Sequence, residues 1–196
     1  MEIAAKDVMK LRNITGAGMM DCKKALLESK GDFDGAIKYL REKGISKAAK
    51  KAERETKEGR IYAYIHGEGK IGVMIEVNCE TDFVARNVQF VELCKDLAMH
   101  IAATNPLAID EDGIDPSLIE QEREIYRNKA LNEGKPEKII DKIVEGQVVK
   151  FLKENCLLEQ EFIKDPDKSV RDIIHQAVAK MGENIQIARF VRYSLG

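Results

Sequence analysis

Residues able to serve as nucleophiles, acid–base groups or metal ligands are thinly spread along this chain. Four cysteines, Cys22, Cys79, Cys94 and Cys156, stand apart without a CxxC pair, and His66, His100 and His175 are equally scattered. A metal site legible in sequence needs ligands grouped within a turn or two, so no metal site is read here. Buried reduced thiols are the reading for the cysteines, and packed or surface rings for the histidines. Gly67-Glu68-Gly69-Lys70-Ile71-Gly72 does spell GxGxxG. A dinucleotide loop, however, must leave a strand and open a helix, and both flanks here alternate as strands, so the segment reads as a hairpin turn. No GxSxG, HExxH or phosphate-loop spacing occurs, which leaves a hydrolytic or phosphotransfer site without local support. A thiol-dependent activity at Cys22 or Cys79 would require an unusually reactive thiolate. An enzyme assembled from residues distant in sequence stays open at this point.

Three segments carry the chemistry of association instead. In Glu80-Thr81-Asp82-Phe83-Val84, Thr81 is placed to cap a helix and Asp82 to favour its first turn. Phe83 is the residue that capping does not explain: a large aromatic there is either tucked into the core or offered to a partner, and the pattern leaves both open. Met19-Met20 cannot both point into a small bundle, so at least one is expected at the surface, where a flexible apolar side chain suits a protein partner. Lys47, Lys50, Lys51, Arg54, Lys57 and Arg60 form a basic stretch, but Glu53, Glu55 and Glu58 interrupt it and no aromatic accompanies it. It reads as a solvated face in preference to a nucleic-acid groove.

The elements that must position these residues follow from periodicity and punctuation. Among 196 residues, 32 Lys and Arg face 34 Asp and Glu, a net charge of −2 that excludes a general polyanion binder. The 44% apolar content supports a core and argues against disorder. No apolar run approaches the roughly 20 residues that span a bilayer, and Met1 to Asp7 lacks a signal-peptide layout. With reduced thiols, this suggests a cytoplasmic protein. Up to Arg60 there are 15 basic and 10 acidic residues, against 17 and 24 beyond it, and that asymmetry suggests a boundary.

The expected organisation is α+β. A three-helix module occupies residues 1–44, with helices at Ala4–Arg12, Met20–Ser29 and Phe33–Glu42, ended by Gly31 and Gly44 and with Asp32 as a cap. Val8, Leu11, Ile14, Ala25, Leu26, Ala36, Ile37 and Leu40 are its inward candidates. A linker helix follows over 45–59. The α+β core, 60–196, opens with a hairpin of alternating strands, Ile61-Ala63-Ile65 and Ile71-Val73-Ile75-Val77. Helices are predicted at Val84–Ala103, Pro116–Asn132, Pro136–Asn155 and Val170–Met181, before a third strand at Ile185–Tyr193.

Two of the association segments also carry a family resemblance. Leu11-Arg12 with Thr15-Gly16-Ala17-Gly18-Met19-Met20-Asp21-Cys22-Lys23-Lys24-Ala25-Leu26, and Glu76-Val77-Asn78-Cys79-Glu80-Thr81-Asp82-Phe83-Val84-Ala85, resemble the two signatures of the bacterial translation elongation factor Ts family. A third stretch, from Gly134-Lys135-Pro136 to Cys156-Leu157-Leu158-Glu159-Gln160, extends the likeness through the later core. The resemblance implies a guanine nucleotide exchange factor for elongation factor Tu, not a catalyst of bond-making and without a cofactor, with an N-terminal module of the ubiquitin-associated-like type. It implies that Leu11, Met19 and Met20 serve partner binding, and that Thr81, Asp82, Phe83 and Val84 form the loop that intrudes near the partner's magnesium. Longer members duplicate the core and insert a coiled-coil hairpin. Only one copy of the core is apparent here, as in the short form whose members act as homodimers. No membrane or direct nucleic-acid contact is expected. The rival reading is a passive translation-associated module that binds a protein or RNA and predicts salt-sensitive RNA binding without any effect on nucleotide release.

Overall fold

The computed structural model describes residues 3–195; Met1, Glu2 and Gly196, the ends of the first and last expected segments, lie outside the described residues. The elements run α1 (Ala5–Thr15), α2 (Met19–Glu28), α3 (Phe33–Ala49), β1 (Glu58–His66), β2 (Ile71–Cys79), α4 (Asp82–Ala85), α5 (Val88–Thr104), α6 (Pro116–Asn132), α7 (Glu137–Asn155), β3 (Glu161–Phe162), β4 (Asp165–Ser169), α8 (Val170–Met181) and β5 (Ile185–Ser194). The expected α+β class is observed, with three strands in one antiparallel sheet ordered β1-β2-β5. The chain divides into two compact units. One comprises Met1–Tyr62, Ile75–Asp96 and Asp172–Ala188, and the other Ala63–Met74, Leu97–Arg171 and Arg189–Gly196, so each long strand contributes residues to both.

In the first unit, α1 to α3 close around Val8, Leu11, Cys22, Ala25, Leu26 and Ala36, with Phe33, Tyr39 and Leu40 packed against that cluster. Ile14 and Ile37, expected inside, are exposed. Steps of three residues turn a helix face back by about 60° each, so the stripe through Val8 and Leu11 has rotated away from the core by Ile14. α1 stops at Gly16, whose φ of 66° is left-handed and whose N–H donates to Arg12 O at 2.7 Å. Asp32 caps α3 as expected, its Oδ2 accepting from Gly35 N–H at 2.8 Å. Gly44 does not end that helix. It is buried inside α3, where a Cβ would lie 3.8 Å from Ala179 Cβ of α8. The helical character expected after Ile45 is therefore the last turn of α3, which runs to Ala49 and gives way to turns before β1. At the start of β1, Gly59 is required by close approach, since a Cβ there would meet Val77 O of β2 at 2.4 Å.

The helix expected from Val84 to Ala103 is broken. α4 is a single turn, and Asn87 starts α5 afresh, its Oδ1 accepting from Gln89 N–H at 2.8 Å. Phe90, Leu93, Leu97 and Ile101 line the buried face of α5, while Val88, where the helix restarts, is 80% exposed.

In the second unit, α6 and α7 form a hairpin around Ala130, Ile140, Val144 and Val148. Arg127 and Asp141 pair across it at 2.7 Å. Asp115 caps α6 by accepting from Ser117 N–H at 2.8 Å, and Pro116 occupies its first turn. The short antiparallel pair β3-β4 had no sequence signal. Two residues of strand are too few to show a period.

His100 is the buried polar centre of this unit. Its Nδ1 accepts from Ile163 N–H at 3.3 Å, which leaves Nε2–H to donate to Gln160 Oε1 at 2.8 Å. Its ring stacks on Phe162 with centroids 5.8 Å apart. Gln160 Nε2 donates in turn to Glu154 O at 2.7 Å. Burial pushes the imidazole pKa down, partly opposed by the Gln160 hydrogen bond. The native state then binds fewer protons than the unfolded chain below the ordinary histidine pKa of about 6.5. Stability is complete above that value and is lost as pH falls through it. In urea unfolding at about pH 7.5 and about pH 5.5, the loss on acidification is expected to be smaller in His100→Gln than in the parent. Equal losses in the two proteins would exclude His100 as the titrating group.

Candidate partner-binding site

The turn from β2 into α4 is set by one carboxylate from a distant part of the chain. Glu183 precedes β5, and its Oε2 accepts from the backbone N–H groups of Glu80 and Thr81 at 3.1 and 3.0 Å. Its Oε1 accepts from the Thr81 hydroxyl at 2.6 Å. The arrangement is reciprocal: Glu80 Oε1 accepts from Asn184 N–H at 2.6 Å. Asn184 is buried, and its Nδ2 donates to Ala52 O and Arg54 O at 3.2 and 2.9 Å. Hydrogen bonds to a charged acceptor are the strong kind, and these three converge on two consecutive residues.

Thr81 also performs the expected cap, with Oγ1 3.4 Å from the Val84 N–H. Successive helical residues diverge by about 100°, so α4 sends Val84 inward, where it is buried, and Phe83 outward. Phe83 is 82% exposed, so it is not tucked into the core. Asp82 pairs with Arg86 one turn on at 2.9 Å, and both are solvent-accessible. The turn therefore shows Phe83 and its flanking charges on a base of Val84, Thr81 and the Glu183 carboxylate.

The second segment lies at the start of α2. After the Gly16 turn, Gly18 opens the helix, and Met19 and Met20 are its first residues, 40% and 76% exposed. Both methionines are thus offered, where the sequence required one. Asp21 beside them holds Lys43 and Lys47 of α3 at 2.6 and 2.7 Å, and those hydrogen bonds keep its carboxyl below the ordinary aspartate range. This pins the first turn of α2 to α3. Leu11 is fully buried in the module, so its side chain supports α1 from within and is not part of the displayed surface.

The other sequence candidates are absorbed by the fold. All four cysteines are free and buried. Burial pushes Cys79 up to about 11, with the Glu183 charge adding to it, and its thiol donates to Thr81 O at 3.2 Å. Cys94 is pushed up to about 12 and Cys156 to about 11, again chiefly by burial. These are inert structural thiols. In the basic stretch, Lys47 is held by Asp21, Lys51 donates to Gly182 O, Arg54 lies 3.4 Å from Glu80, and Arg60 donates to Ala85 O at 3.4 Å. Cations used this way brace the fold instead of lining a phosphate groove. Among the described residues, no three His, Cys, Asp or Glu groups gather as a metal site, and no helix is long and apolar enough to cross a membrane.

Sequence reasoning missed Glu183 and Asn184. They stand about a hundred residues from Thr81 in a chain with 34% charged residues, where one more glutamate carries no signal. Only the return of β5 to the sheet brings them to the turn.

An α+β chain with a small helical module and an aromatic displayed on a clasped turn finds its counterparts among translation elongation factors. The family model described as Elongation factor TS matches residues 5–196. Elongation factor Ts of Oleidesulfovibrio alaskensis is 61% identical over 194 residues, covering 99% of this chain and 98% of that protein. Elongation factor Ts of Nitratidesulfovibrio vulgaris is 58% identical over 196 residues, covering 100% and 98%. That of Thermoanaerobacter sp. is 56% identical over 194 residues, covering 99% and 95%. The chain belongs to the elongation factor Ts family.

Proposed function

We propose that this chain is a guanine nucleotide exchange factor for elongation factor Tu, acting in the cytoplasm by binding and not by bond-making. The observation that carries the reading is Phe83, a large aromatic held 82% exposed on a turn that three hydrogen bonds to Glu183 keep ordered. Free water is a poor environment for such a ring. Burying it in a partner would return on the order of 2–3 kcal/mol of hydrophobic free energy.

In this reading Phe83, with Asp82 beside it and Thr81 and Val84 beneath, enters the region of the partner that holds magnesium and the GDP phosphates. The wedge binds the distorted partner better than the relaxed one, so wedge and nucleotide weaken each other reciprocally. A thousandfold faster release requires a barrier lowered by roughly 4 kcal/mol, which one buried aromatic and the lost metal contacts can together supply. GTP then enters in place of GDP. Met19 and Met20 supply affinity at a second place on the partner, its nucleotide-binding domain. Leu11 serves by holding α1 in the module. The rival RNA-binding reading loses its main support, because four of the six basic side chains it would use are engaged within the fold.

We also propose that the chain acts as a homodimer, as short members of the family do. In the second unit, Ile65 of β1, Met74 of β2 and Tyr193 of β5 are exposed large apolar side chains on the three strands of one sheet. A sheet surface of that kind is suited to self-association.

Four outcomes are expected. With fluorescent GDP loaded on elongation factor Tu at fixed magnesium, the chain gives a large, saturable rise in release rate. Phe83→Ala retains its fold by circular dichroism and loses most of the acceleration at saturation, by at least about tenfold; an unchanged rate would remove Phe83 from the mechanism. Alanine at both Met19 and Met20 is expected to weaken binding to the partner by calorimetry roughly tenfold or more, and an unchanged dissociation constant would argue against that contact. Sedimentation equilibrium at micromolar concentration should return twice the mass of the chain, and the mass of a single chain would reject the dimer.

A further inference from the structure

We infer that Glu183 is the positioning residue of the exchange loop: its carboxylate fixes the direction in which Phe83 is presented. This rests on the exchange reading above and extends it to a residue from the opposite end of the chain. The argument is one of degrees of freedom. α4 is a single turn, too short to hold itself, because isolated helices of that length do not persist in water. Phe83 makes no use of the core, since it is 82% exposed. Its direction therefore depends on its chain neighbours, the buried Val84 and Ala85 after it and Glu80 and Thr81 before it. Of the polar groups of Glu80 and Thr81, both N–H donors and the Thr81 hydroxyl go to one carboxylate. The Cys79 thiol takes the Thr81 carbonyl at 3.2 Å, and Asn184 N–H takes the Glu80 carboxylate. Glu183 is itself aimed by its neighbour, because Asn184 is buried and anchored to Ala52 and Arg54.

A glutamine at position 183 has nearly the same shape but offers one acceptor oxygen where the carboxylate offers two. It would set an N–H₂ group against the donors of the turn. Thr81→Val removes the hydroxyl contact to Glu183 together with the cap on Val84 N–H, and Thr81→Ser restores both. The chain contains no tryptophan, so Phe83→Trp installs a single fluorophore at an exposed position and reports its mobility in the free protein.

The test has two arms. In the Phe83→Trp background, Glu183→Gln should lower the steady-state anisotropy of Trp emission at an unchanged far-ultraviolet spectrum. In GDP release from elongation factor Tu, Glu183→Gln should reduce the saturating rate by roughly ten- to a hundredfold, the usual consequence of misplacing a contact group, yet cause no further loss in the Phe83→Ala background. Thr81→Val should behave similarly in both arms, and Thr81→Ser should recover. If Glu183→Gln fails to fold, Glu183→Asp, which withdraws the same carboxylate by one methylene, takes its place in both arms. Unchanged anisotropy, or equal losses with and without Phe83, would overturn the positioning role. If the parent chain does not accelerate GDP release at all, the exchange reading fails, and the anisotropy arm alone decides whether Glu183 orders the turn.

Discussion

A carboxylate that accepts from two consecutive backbone N–H groups and a hydroxyl does what a longer element would otherwise have to do: it makes a rigid object out of a single helical turn. Strand β2 ends at Cys79, and the next two backbone N–H groups, those of Glu80 and Thr81 ahead of α4, need an acceptor. Glu183 supplies it from the segment that leads into β5. The same contact explains several dependents. Asn184 must be buried and doubly anchored so that the carboxylate is aimed, Glu80 must turn back to Asn184 N–H, and the thiol of Cys79 stays protonated because burial and a fixed negative charge both oppose the thiolate. What reads in isolation as a lone cysteine or a stray glutamate is one hydrogen-bonded unit.

The display of apolar side chains at two places has a physical requirement in common. An exposed phenylalanine or methionine forgoes burial, and in a flexible segment it would collapse onto the nearest apolar surface. Phe83 is kept out by the clasp on its N-terminal side and by buried Val84 on its C-terminal side. Met19 and Met20 are kept out by the left-handed Gly16 that ends α1 and by the Asp21 carboxylate that ties the head of α2 to Lys43 and Lys47. Where the module has interior to fill, it fills it with Leu11, Leu26 and small residues, so the methionines have nowhere inward to go.

How much of this could be read in advance depended on the range of the interaction. The cap at Asp32, the hairpin turn at Gly67 to Lys70, the cap at Thr81 and the helix starting at Pro116 are decided within four residues, and each was legible. Gly44 misled because a glycine after an amphipathic run is also what a close helix approach demands, and only the neighbouring Ala179 tells the two apart. Ile14 misled through the rotation of the helix face, and the continuous helix from Val84 to Ala103 through the Asn87 cap that restarts α5. The direction of Phe83 was undecidable because it hinges on Glu183, for which no local rule exists. Sequence pattern named the loop, and tertiary structure named what holds it.

Rigidity of the loop bears directly on how an exchange factor can work. A wedge that must be ordered on binding spends part of its contact energy on its own loss of freedom, and only the remainder is available to distort the partner. Displacing a bound nucleotide requires the factor to favour the distorted state over the relaxed one, so contacts that form equally well with both contribute affinity without exchange. Met19 and Met20, flexible side chains on an exposed helix head, are suited to the first role because they adapt to either state. Phe83, fixed in direction by groups that lie outside the interface, is suited to the second, because a ring that cannot retreat discriminates between a partner that has opened and one that has not. In the exchange reading proposed above, the division follows from stiffness alone: the adaptable residues would hold the partner, and the inflexible one would decide which of its states is held.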